Sequence, residues 1–139
     1  MTNSVFLDAS FWINFRDEEL LPHALARKVV GDLFRQKVTM VTTFPVICEI
    51  HAFFSRDDVA RETILNDLFE NRVVRVEDVS AQDQREAINI LRKHRDKDYS
   101  LCDALSFVVM RRLSLTRVLS FDDHFRQFGE FEVIPNKSS

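Results

Sequence analysis

Apolar residues along this chain fall into two alternating kinds of run. Some are short and rich in β-branched or aromatic side chains; others are longer, with apolar positions recurring every three or four residues. Residues 5–7, 39–43, 73–76, 118–121 and 131–134 are of the first kind and are predicted to be strands. Between them, residues 23–36 carry Leu25, Val29, Val30, Leu33 and Phe34 on one stripe, with Pro22 suited to the first turn. Further helices are predicted over 44–55, opened by Thr43 and Pro45, and over 57–71, 80–94, 100–115 and 122–128. Ser80 with Asp83 and Ser100 with Asp103 have capping-box spacing. The segment after Asp8 is read as a polar turn and residues 93–98 as a charged loop.

Short strands alternating with helices of this length indicate an α/β protein: a parallel sheet with helices on both faces, an α/β/α sandwich. Ligands in such folds sit beyond the carboxyl ends of the strands, where strand order reverses. A length of 139 residues fits one domain, expected over 1–135 with a short tail at 136–139.

Composition narrows the picture. Thirteen Phe and 45% apolar residues are ample for a packed core, and two Gly with three Pro disfavour a turn-rich β protein. The net charge of −3 excludes a uniformly basic surface, so contact with nucleic acid must be local. Cys48 and Cys102 read as buried, reduced thiols, and no segment has the length or flanks of a membrane span or signal peptide, so a cytoplasmic protein is expected. The four histidines show no zinc spacing, the two glycines no phosphate loop, and no GxSxG occurs.

What remains is acidic. Asp8 ends the first predicted strand and Asp122 the fourth, so both should project from the same sheet edge, although an Asp there is ordinarily an N-cap or turn former. Glu49 lies within FPVICEIHAFF, where burial of an unpaired carboxylate would demand a cation, a partner or a path to water. Asp103 sits in a first helical turn, where the helix dipole and Ser100 already account for an acid. As a set, the four carboxylates match the oxygen-rich coordination preferred by Mg²⁺ and Mn²⁺.

The segments VFLDASFWINF, VICEIHAFF, YSLCDALSFVVM and LSFDDHF, in that order, resemble the motifs of PIN-domain nucleases, and among these the stand-alone VapC-type toxins of toxin–antitoxin pairs. The resemblance spans nearly the whole chain. It implies a PIN-like fold with a five-stranded parallel sheet, and catalytic, metal-binding acids at Asp8, Glu49, Asp103 and Asp122. Ser10 and Ser120 are implied as supporting hydroxyls. Asp122 is preferred to Asp123 because the family's last motif places a Phe three residues after its Asp, here Phe125. The resemblance further implies an Mg²⁺ (or Mn²⁺) endoribonuclease in which metal-activated water hydrolyses RNA and leaves a 5′-phosphate and a 3′-hydroxyl. A homodimer and a VapB-like antitoxin are the implied partners, with Phe11, Trp12, Phe15, Phe53 and Phe54 as candidate contacts and Arg16, Arg92, Lys93 or Arg95 as phosphate grips. Alternatives are an RNA-processing or quality-control PIN nuclease and a silent binding module. An acid phosphatase with a nucleophilic Asp8 would want a second acid where Ser10 stands.

Overall fold

The computed structural model describes residues 3–136; positions 137–139 of the expected tail lie outside the described residues. Five parallel strands, β1 (Ser4–Leu7), β2 (Thr39–Thr43), β3 (Val74–Glu77), β4 (Arg117–Leu119) and β5 (Glu132–Ile134), form one sheet in the order β3-β2-β1-β4-β5. The connecting helices are α1 (Ala9–Arg16), α2 (His23–Arg35), α3 (Phe44–Phe53), α4 (Asp58–Phe69), α5 (Ala81–Lys93), α6 (Leu101–Arg112) and α7 (Asp123–Phe128). Each strand and helix lies within a few residues of its sequence reading, except α1. A helix, not a polar turn, follows Asp8, and it buries Phe11 and Trp12.

The chain runs from β1 toward one edge through β2 and β3, crosses back, and continues from β4 to β5 in the opposite direction. Right-handed crossovers then put α1–α4 on one face and α5–α7 on the other. Helix contacts follow this division: α1 packs on α2 and α3, and α3 on α4, while α6 packs on α5 and α7. The direction of winding reverses between β1 and β4, which are hydrogen-bonded neighbours.

Val5, Phe6 and Leu7 are wholly buried, as expected for a central strand covered on both sides. Helix α6 is buried continuously from Asp103 to Met110, so its apolar character runs around the whole cylinder. Helices α2 and α6 end alike without glycine. Lys37 and Ser114 adopt the left-handed conformation, with φ of 58° and 57°. In each case the next residue, Val38 or Leu115, donates its N–H to the carbonyl five residues back and inserts its side chain into the core.

One polar network ties α5 to α6. Arg112 forks onto both oxygens of buried Asp83 at 3.0 and 2.9 Å, and also reaches Glu77 and the Asp78 carbonyl. Burial works to raise the Asp83 pKa, but the Arg112 and Ser80 hydrogen bonds outweigh it and hold the carboxyl below its ordinary value. Arg112→Met should therefore leave a buried carboxylate unpaired and cost about 2–3 kcal/mol, less than for a fully buried pair because Arg112 is partly solvated. Urea unfolding checks this; a loss under about 0.5 kcal/mol would show that solvent screens the Arg112–Asp83 pair.

Candidate active site

Asp8, Glu49, Asp103 and Asp122 line one cleft of about 280 Å³, together with Ala9, Ser10, Ile13, Ser100 and His124. The cleft opens at the carboxyl ends of β1 and β4, the point where the winding reverses.

Asp8 is only 4% exposed. It occupies the N-cap position of α1 yet makes no capping bond. Instead its Oδ2 accepts from the Ser10 hydroxyl at 2.7 Å and from the Ser120 hydroxyl at 2.8 Å, and the two hydroxyls lie 3.2 Å apart. Main-chain N–H groups of Phe121 and Asp122 donate to Ser10 and Ser120 at 3.0 Å, so both serines are fixed by the turn after β4. Burial, opposed by these hydroxyls and reinforced by the charges of Asp103 and Asp122, raises the Asp8 pKa from 3.8 to about 6.

Asp103 and Asp122 both retain an ordinary structural role. Asp103 Oδ2 accepts from the Ser100 N–H at 2.9 Å in a complete capping box, and Asp122 Oδ1 caps α7 through the His124 N–H at 3.0 Å. Asp123, by contrast, is exposed and pairs with Arg126.

Glu49 departs from the reading of a buried acid. Val46, Ile47 and Ile50 form the buried face of α3, while Glu49 and Cys48 are exposed on the other side. Glu49 sits at the open wall of the cleft, where partial desolvation and then repulsion from Asp8, Asp103 and Asp122 raise its pKa. Cys48 is likewise not the buried thiol expected, and both cysteines are free. Burial and then the charges of Glu49, Asp8 and Asp103 push the Cys102 thiol up, which disfavours its thiolate form.

His124 escaped the sequence reading. One ligand atom each from Asp103, Asp122 and His124 can be chosen within 4.8 Å of one another, and its Nδ1 lies 2.6 Å from Asp103 Oδ2. A search for HExxH or paired Cys/His spacing cannot find it; its only signal is a place two residues after Asp122 at the start of a helix. None of Arg16, Arg92, Lys93 and Arg95 lines the cleft. Arg16 is committed to Asp67 and packs over the Trp12 and Phe15 rings.

Residues 5–130 match the PIN domain family model. The chain belongs to the PIN domain family. It is 31% identical over 132 residues to the 23S rRNA-specific endonuclease VapC20 of Mycobacterium tuberculosis, covering 94% of this chain and 98% of that protein. The crystal structure of M. tuberculosis VapC20, described as a sarcin-ricin loop cleaving toxin, superposes with a TM-score of 0.81 at 29% identity, over 93% of this chain and 98% of that one. A toxin–antitoxin complex from Klebsiella pneumoniae matches with a TM-score of 0.66 over 97% and 99% of the two chains, at 9% identity, which bears on the fold alone. Among the described residues no helix is long and apolar enough to cross a membrane.

Proposed function

We propose that this PIN protein is an endoribonuclease, the toxin of a VapBC-type pair, with Asp8, Glu49, Asp103 and Asp122 holding Mg²⁺ or Mn²⁺ in the acidic cleft. The observation that carries the reading is the gathering of four carboxylates from four separate elements at the switch point of the sheet. Asp103 and Asp122 also cap helices, whereas Asp8 caps none: among the described residues only hydroxyl donors meet its buried carboxylate, and its pKa is raised accordingly. An all-oxygen donor set of this kind suits a hard divalent ion. The likeness to VapC20 over nearly the full length of both chains supports RNA as substrate and makes 23S rRNA the first one to test.

When bound, the metal supplies positive charge to the scissile phosphate and acidifies water. The protein's part is positional. Ser10 and Ser120 hold Asp8 Oδ2, leaving Oδ1 without a hydrogen bond among the described residues. Asp103 is anchored by Ser100, and Asp122 by the first turn of α7. Glu49 makes no hydrogen bond or ion pair among the described residues, faces the open side, and has a raised pKa, which suits it to orient water and accept its proton.

Purified protein should cut 23S rRNA in Mg²⁺ or Mn²⁺ and stop in chelator. Glu49→Gln should reduce cleavage about 10²-fold or more, with little change in melting temperature because Glu49 is exposed. Cleavage that survives chelation, or an unimpaired Glu49→Gln, would sink the metal-site reading.

As partners we assign a VapB-like antitoxin and a second copy of the chain. Exposed Phe44, Phe53, Val59 and Phe69 on α3 and α4 support an apolar contact there, whereas Phe11 and Trp12 are core.

A further inference from the structure

We propose that His124 is a positioning residue for the acidic cleft. Its ring donates to Asp103 and fixes the spacing of the Asp103 and Asp122 carboxylates, and thereby sets how tightly the site takes a divalent cation. The inference rests on the metal-site reading above and adds to it a residue outside the four acids.

His124 touches both acids by separate atoms. Its main-chain N–H donates to Asp122 Oδ1 at 3.0 Å, which locks the start of α7 to that carboxylate. Its ring Nδ1 lies 2.6 Å from Asp103 Oδ2 and 3.4 Å from Asp122 Oδ1. The direction of the ring bond follows from its neighbours. Asp103 Oδ2 already accepts the Ser100 N–H at 2.9 Å, so it is an acceptor and Nδ1 carries the proton. With two donors on Oδ2, Asp103 is held in one orientation, and its other oxygen has no hydrogen bond among the described residues. The imidazole is thus a strut between an acid on α6 and an acid at the head of α7, two helices that also pack through Phe107 against Phe125 and Phe128.

A strut works only if it cannot swing. The Tyr99 ring stands against His124 at 5.6 Å and 83°, and Tyr99 is itself buried against Phe107 at 5.2 Å. Packing therefore sets the ring, and the ring sets Asp103. A hydrogen bond to a liganding carboxylate governs metal affinity by removing the freedom the carboxylate would otherwise lose on binding.

The test is Mn²⁺ binding by calorimetry on the full chain, with RNA cleavage followed against Mn²⁺ concentration. His124→Ala keeps the backbone bond to Asp122 and removes only the ring; His124→Asn places an amide N–H close to where Nδ1 stood. The Ala variant should bind Mn²⁺ about 10–100-fold more weakly and need correspondingly more Mn²⁺ for half-maximal cleavage, with a smaller loss at saturating metal. The Asn variant should recover most of the affinity. Melting curves in chelator, expected to stay close to the parent's, separate lost positioning from lost fold. Parent-like affinity in the Ala variant overturns the proposal, as does a folded Asn variant as weak as Ala, which would make the ring a ligand or a packing block. A parent protein that binds no Mn²⁺ overturns the metal reading itself, a failure recognisable because it does not depend on position 124.

Discussion

Asp8→Asn should lose RNA cleavage by about 10²-fold or more and yet melt at a higher temperature than the parent protein. The two effects share one cause. The cleft buries Asp8 with only hydroxyl donors for company, and these can donate to an amide oxygen as well as to a carboxylate. With its pKa raised from 3.8 to about 6, the carboxyl is more easily protonated in the folded state than in the unfolded chain. Its contribution to stability is therefore fully present below pH 3.8 and is lost as pH rises through 6, leaving a deficit of at most about 3 kcal/mol above that range. Asparagine does not ionise and escapes the loss. In chelator, the stability gap between variant and parent should widen from pH 4 to pH 8, and Mn²⁺ should narrow it by stabilising the parent alone. A gap independent of pH would show that desolvation of Asp8 is not what the cleft stores, and a variant that cuts RNA normally would remove Asp8 from the site.

The largest loss of stability should come from Phe107→Ala, at about 3–5 kcal/mol. Phe107 is fully buried on α6 and lies at the centre of an aromatic cluster. Phe128 stacks on it at 4.1 Å, and Phe125 and Tyr99 meet it edge-on at 5.0 and 5.2 Å. Truncation would open a cavity walled by rigid rings that cannot collapse into it, which places the cost at the upper end for core residues. Denaturant unfolding measures this directly; a loss below about 1.5 kcal/mol would mean that the cluster repacks. Tyr99 loses its backing in the same variant, so whatever protein remains folded should also bind Mn²⁺ less well.

The parallel sheet was legible because each strand is a short apolar run set between longer segments with helical periodicity or capping signals, and the resemblance to PIN nucleases supplied the order of the acids. Two features were hidden, the first because apolar residues here are not all interior. Helix α3 reads as buried throughout, but Phe44 and Phe53 are about as exposed as surface residues, at 60% and 53%, so the face that carries Glu49 and Cys48 looked like core. Helix α1 failed in the converse way. ASFWINFR has no polar stripe, and Asp8, the one start signal before it, reads equally as a turn former, so packing on α2 and α3 is what defines the helix. His124 was invisible because its significance lies in reaching across to another helix, which no local spacing encodes.

The pairing of β4 against β1 has a consequence for the protein's manufacture. Asp8 and Glu49 emerge from a ribosome long before the strand that brings Asp122 and Ser120 beside them, and β4 pairs with β1 across more than a hundred residues of intervening chain. Until that long-range pairing closes, Asp8 lacks its Ser120 partner and the cleft lacks the wall that carries Asp122. On the proposed site, a chain that ends before residue 122 lacks one of the four acids and has only just acquired the strand that seats Ser120 beside Asp8.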